Sequence, residues 1–188
     1  MLFYDLEIIK AIPVKNETPI EGISYCDGWG DQSNMGISVL VAFSEEQKSI
    51  GIFMNDNRTQ FADWIAETNM VMGFNNNRFD DPVLFKNWGV EVPKEKSADL
   101  YQIIKAKAPK GIKGSLSMDA LCKANLNITK TEDGALAPIM FQRGQIGRVI
   151  NYCIQDVRLL KMLYSKIQKT GTLIDPRTSQ PFVVKQVA

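Results

Sequence analysis

The opening segment LFYDLEII, residues 2–9, is apolar and β-branched at its end, so it reads as a buried strand, yet it carries acids at positions 5 and 7. Side chains two residues apart on a strand point to the same face, which puts Asp5 and Glu7 side by side on an otherwise apolar element. Two unit charges about 4 Å apart at an effective dielectric of about 20 repel by roughly 4 kcal/mol. A fold carries that cost only where something offsets it, and a cation is the natural partner for acids taken out of water. An edge strand with two solvated acids would share the pattern, but the flanking Phe3, Tyr4, Leu6, Ile8 and Ile9 argue for burial.

Composition narrows the chemistry further. With 188 residues, 45% of them hydrophobic, the chain is long enough for one well-cored domain. Lysine plus arginine is 22 and aspartate plus glutamate 21, so a basic face must come from local clustering. The three cysteines Cys26, Cys122 and Cys153 are far apart and form no C-x-x-C pair, which argues against a disulfide framework or a zinc site and suits a reducing compartment. There is no histidine. That excludes histidine triads, histidine general bases and histidine-ligated zinc, leaving carboxylates, tyrosine, lysine, cysteine or metal ions. The acids among the first ten residues are unlike a signal peptide, and no stretch approaches 18 uncharged apolar residues, so a cytoplasmic protein without a membrane partner is expected.

Along the chain, GISYC, SVLVAF and SIGIF read as further strands of an antiparallel meander. Phe61, Trp64 and Ile65 fall at helical spacing from Thr59, with Asn57 and Thr59 available as caps. MVMGF is a short strand, DDPVLFKNWG a helix closed by glycine, and SADLYQIIKA a strand running into a helix. KAKAPKGIKG is a basic loop, SLSMDALCKAN a short helix, and NITKTEDGALAP a polar, exposed connection. The stripe Ile146, Val149, Ile150, Cys153, Val157, Leu160, Leu163, Tyr164 and Ile167 marks a long helix. The tail, residues 171–188, contains a terminal strand at FVV. The fold expected is α/β, a mixed sheet in which an antiparallel meander precedes parallel strands and helices flank both.

Two more acids complete the pattern: Asp80, at a helix start in GFNNNRFDD, and Asp156 on the long helix. Four carboxylates can hold two Mg²⁺ or Mn²⁺ ions about 3.5–4 Å apart, the arrangement that activates water for phosphodiester hydrolysis. Tyr152 lies one helical turn before Asp156 on the same helix edge, where a phenol with its ordinary pKa near 10 orients a water rather than accepting its proton. Asp81 competes with Asp80 and is expected as a cap or first-turn acid, and Asp99 as the cap of the next helix.

The order D-x-E in FYDLEI, the second motif in GFNNNRFDD and Y-x-x-x-D in NYCIQDVRLL resembles the three exonuclease motifs of the DEDD superfamily. The tyrosine places the resemblance in its DEDDy branch, with the proofreading domains of family B DNA polymerases and ribonuclease D. It spans about Leu2 to Leu163 and extends to stand-alone bacterial and phage exonucleases. It implies a ribonuclease H-like fold over residues 1–170, hydrolysis from a free 3′ end and release of nucleoside 5′-monophosphates. Asp5, Glu7, Asp80 and Asp156 would bind two divalent metal ions and Tyr152 would position the water. Leu6, Phe74 and Asn76, beside the motif acids, are expected at the substrate, and Phe79 in the packing beneath Asp80. Where relatives often carry His-Asn, this chain has Asn75-Asn76. Lys110 and Lys113, in the run with Lys105 and Lys107, are the expected phosphate contacts. Single-stranded DNA is the favoured partner and RNA the alternative; a non-catalytic nucleic-acid-binding module is the rival from another class.

Overall fold

The fold was obtained as a computed structural model that describes residues 1–129 and 134–184. Its centre is a five-stranded sheet built from β1 (Leu2–Ile8), β2 (Ile37–Ser44), β3 (Ser49–Phe53), β4 (Val71–Gly73) and β5 (Ser97–Asp99), in the order β3-β2-β1-β4-β5. β1 runs antiparallel to β2 and parallel to β4, and β5 is parallel to β4. The mixed sheet is therefore as expected, and the acid-bearing strand is its middle one rather than an edge.

Strand alternation divides the core between two faces. Phe3, Val39, Val41 and Met72 pack under helices α3 (Leu100–Lys107), α4 (Met118–Leu126), α5 (Ala137–Gln142) and α6 (Ile146–Thr170). Leu2, Tyr4, Leu6, Leu40 and Ala42 face the other way, against α1 (Thr59–Glu67) and α2 (Asp80–Trp88). Helix α6, 25 residues and about 37 Å long, crosses β1 and β2 and stops at Gly171, whose left-handed φ of 66° closes the last turn. Most of its stripe from Val149 to Ile167 is buried, Ile150 and Tyr164 partly so, but Ile146, in the first turn, is 41% exposed. Among the described residues no helix is long and apolar enough to cross a membrane.

Three local readings are corrected. GISYC is not a strand: Tyr25 makes one isolated bridge with Ala11, and the Tyr25 hydroxyl instead accepts the Ile20 amide at 3.0 Å, which folds the segment on itself. Asn57 does not cap α1. Its side chain accepts the Met54 amide at 2.6 Å and donates to the Ile52 carbonyl at 3.0 Å, closing the turn after β3, and α1 begins without a side-chain cap. In the polar connection, residues 130–133 lie outside the described residues, while Ala137 and Pro138 are buried at the start of α5.

The tail folds as a hairpin of two strands, β6 (Thr172–Ile174) and β7 (Pro181–Val183), separate from the main sheet. Leu173, Phe182 and Val184 join the core under α6, and residues 185–188 lie outside the described residues. Asn125 fixes the hairpin to α4: its side chain accepts the Ile174 amide at 2.7 Å and donates to the carbonyls of Ile174 and Leu121 at 2.9 Å each. Asn125→Ala leaves these partly buried groups unmatched, so we expect a loss of about 2–3 kcal/mol in urea unfolding. Unchanged stability would show that water replaces the amide.

Candidate active site

Because β1 is central and two-sided, its odd-numbered acids point under α6 at the end where the strand leaves the sheet. Glu7 is buried and Asp5 half-buried. Cys153 on α6 meets them: its thiol donates to the Asp5 carbonyl at 3.3 Å, with the Asp5 carboxylate at 3.6 Å. One ligand atom each from Asp5, Glu7 and Cys153 lies within 4.8 Å of the other two. Asp156, also buried, stands three residues along α6 from Cys153 and one turn from Tyr152.

The electrostatics of α6 register this convergence. Burial, then the charges of Asp156, Glu7 and Asp5, push the Tyr152 phenol well above its ordinary pKa, and it is hydrogen-bonded to Asp156. Burial, then Asp5, Glu7 and Asp156, likewise raise the Cys153 thiol. Both groups therefore stay protonated and serve as donors at neutral pH. The backbone of Gly134 comes close to the same phenol: a β-carbon there would lie 2.9 Å from the Tyr152 hydroxyl.

Asp80 approaches from another direction. The Leu2 amide donates to Met70 on the β4 side, and amides of alternate residues in a strand point the same way. β4 pairs with β1 only at Leu2 and Phe3, so the Leu6 amide extends past the end of β4 toward Asp80, whose pKa it lowers. The Asp80 carboxyl therefore faces the backbone between Asp5 and Glu7. Burial, then the charge of Asp81, raises its pKa to about 7 against the lowering effect of the nearby backbone amides, with a smaller upward push from Asp99.

Other expected residues are placed less directly. Leu6 is buried with its side chain on the opposite face from the acids, so only its main chain reaches the site. Asn76, expected beside substrate, is fully buried and donates to Asp81 at 3.1 Å and Ser97 at 3.3 Å. Asp81 is the expected first-turn acid of α2 and not its cap: it accepts the Tyr4 hydroxyl as well as Asn76 and Ser97, tying α2 to β1 and β5. Asp99 does cap α3, accepting the Gln102 amide at 3.2 Å, and also holds the Asn75 amide at 2.9 Å. Phe74 is half-buried against Tyr101, ring centroids 5.5 Å apart. Phe79 packs against Trp29, which is 69% exposed, whereas Trp64 and Trp88 pack on the α1–α2 core. Lys110 and Lys113 are exposed.

The donor set suits hard divalent cations. Carboxylate oxygens are the usual ligands of Mg²⁺ and Mn²⁺, whereas a soft thiol suits other metals better. Cys153 and Gly134 were missed as site residues in the sequence. Cys153 lies on the core stripe, and only its spacing of three residues from Asp156 hints at a second duty.

Residues 3–168 match the family model described as the RNase_H superfamily. The chain belongs to that superfamily. Two solved structures share the fold. One is the family B DNA polymerase of the hyperthermophilic archaeon Pyrobaculum calidifontis, at 15% identity and a TM-score of 0.65, over 89% of this chain and 24% of the polymerase. The other is Trypanosoma brucei RNase D, at 16% identity and a TM-score of 0.55, over 88% of this chain and 56% of that protein. No curated protein matches the sequence significantly. The chain thus spans a quarter of the polymerase and just over half of the RNase D.

Proposed function

We propose that this protein is a nuclease, and specifically a metal-dependent 3′→5′ exonuclease of the DEDD type that shortens single-stranded DNA and releases nucleoside 5′-monophosphates. The observation that carries the reading is the gathering of Asp5, Glu7 and Asp156 around the Tyr152 phenol at the end of the central strand, with Asp80 facing the backbone between the first two acids. The fold shared with a DNA polymerase and an RNase D supports it.

Asp5, Glu7, Asp80 and Asp156 would hold two Mg²⁺ or Mn²⁺ ions. Such ions lower the pKa of a bound water and stabilise the leaving oxygen. The protein's own part is positioning. Tyr152, protonated at any working pH, donates to Asp156 and orients the attacking water without taking its proton. Phe74 and Phe79 flank the Asn75–Arg78 turn in the chain, and with their partners Tyr101 and Trp29 they offer ring surface to unstacked bases. Lys110 and Lys113 would meet backbone phosphates.

Tyr152→Phe removes one hydrogen bond to a charged group, so kcat should fall about tenfold, with no tyrosine limb in the pH–rate profile of the parent protein below about pH 10. A basic limb that disappears in the variant would instead make Tyr152 a general base. The reading as a whole is tested by a time course on 5′-labelled single-stranded DNA with Mg²⁺ or Mn²⁺, beside an EDTA control. A ladder shortening from the 3′ end supports it. Intact DNA with a degraded RNA oligonucleotide would make the protein an exoribonuclease, and cutting of circular single strands would make it an endonuclease. Binding with no metal-dependent cleavage of either polymer would leave a nucleic-acid-binding module.

A further inference from the structure

The hairpin β6–β7 ends in a cation that is not itself available to substrate. Arg177 forms a two-pronged pair with Asp175, Nε to Oδ1 at 2.8 Å and an Nη to Oδ2 at 2.6 Å, and Asp175 is fully buried. The same guanidinium donates to the carbonyl of Pro109 at 3.0 Å and that of Ile112 at 3.4 Å. Its aliphatic stem lies against Gly114, where a β-carbon would come within 3.0 Å of Arg177 Cγ. Arginine is suited to this by its rigid fork of donors, which a lysine ammonium lacks.

What Arg177 holds is the loop that carries Lys110 and Lys113. From Leu100 to Met118 the sequence has four lysines and no acid, in a chain whose net charge is only +1. The loop is anchored at both ends by the buried Ala108 and Leu116, and both loop lysines point to solvent. It is also continuous with the candidate site. β5 ends level with β4, Gly73 opposite Asp99, and α3 leads from that edge for about 12 Å to the loop. Along the way Phe74 meets Tyr101, and Lys105 Nζ lies 5.4 Å from the Tyr101 ring centre.

We propose that the C-terminal hairpin is part of the nucleic-acid interface: Arg177 clasps the Pro109–Ile112 backbone so that Lys110 and Lys113 form a fixed arm for the phosphates of a single strand, continuing the Phe74–Tyr101–Lys105 row. Arg177 acts through the loop and is a positioning residue. A loop held before binding does not have to be ordered on binding, which is how such a clasp raises affinity. The proposal rests on the nucleic-acid reading above, and deepens it.

The test is fluorescence anisotropy of a labelled single-stranded DNA in EDTA across a salt series, with amide hydrogen exchange of residues 108–114 and steady-state kinetics in Mn²⁺. Lys110→Gln/Lys113→Gln should weaken binding and reduce the slope of log K against log salt by about 1.4, at roughly 0.7 per phosphate contact on a single strand. Arg177→Lys, which keeps a charge opposite Asp175 but loses the fork, should weaken binding several-fold, speed exchange in the loop, and raise KM while kcat holds. In the double-glutamine background Arg177→Lys should have no further effect on binding. Equal weakening in both backgrounds, or unchanged loop exchange, overturns the clasp. Should Arg177→Lys not fold, Asp175→Asn/Arg177→Met removes both buried charges together and carries the same comparison. DNA binding with these effects but no cleavage would sink the exonuclease reading and leave the clasp standing; cleavage without them would do the reverse.

Discussion

Asp5→Ala is expected to lower turnover on the order of a thousandfold, about 4 kcal/mol in activation free energy, while leaving the fold intact. The fold should survive because the contact from Cys153 to position 5 runs first to the main-chain carbonyl, at 3.3 Å, which alanine retains. What alanine removes is one of the two carboxylates that face Cys153 on the central strand. Thermal unfolding separates this loss from general damage. An ion that binds only the folded protein adds about 2.7 kcal/mol at 100 times its Kd, roughly 5–10 °C for a domain of this size. The parent protein should show that rise with Mn²⁺, and Asp5→Ala should lose most of it while keeping its Tm in EDTA. Turnover within tenfold of the parent would remove Asp5 from the mechanism. Asp156→Ala should behave alike.

The second large effect concerns Asp80 and pH. Its carboxyl is raised from the ordinary 3.8 to about 7 by burial and by Asp81. A carboxyl whose folded pKa exceeds its unfolded value binds its proton more tightly in the fold. The stability it contributes to the metal-free protein is fully present below about pH 4 and is lost as pH rises to about 7, a change of up to about 4 kcal/mol. Metal binding runs against this slope, since a ligand carboxylate must shed its proton. Mn²⁺ affinity should therefore drop by up to about tenfold per pH unit below 7, with proton release on binding measurable by calorimetry in buffers of different ionisation enthalpy. Asp80→Asn keeps the size of the side chain without its titrating proton and should flatten the Asp80 part of the stability slope. A Mn²⁺ affinity independent of pH from 5 to 8 would show that Asp80 is ionised throughout or is no ligand.

The mixed sheet and the acid pairs were legible because they rest on periodicity. The period-two placement of Asp5 and Glu7 and the spacing of Tyr152 from Asp156 survive any detail of packing. The same holds for the buried part of the α6 stripe. What could not be read were contacts set by distant parts of the chain. Asn76 looks like a substrate contact locally and Asp81 like a cap or first-turn acid, and nothing local tells that the fold joins them to Tyr4 and Ser97, far away in sequence. GISYC has strand-like composition, but its tyrosine closes a local turn. Arg177 in the tail showed nothing to connect it with Pro109, because main-chain carbonyls leave no trace in a sequence.

The short pairing of β4 with β1 has a consequence for how freely this site can change over evolution. Because Asp80 faces the Leu6 amide, the main-chain side of that approach is a group every residue except proline carries. The identity of residue 6 is then answerable only to the apolar packing on the far face, and valine, isoleucine or methionine could drift in without moving the acids. Proline alone would remove that amide, and it would do so without altering one side chain that faces the site.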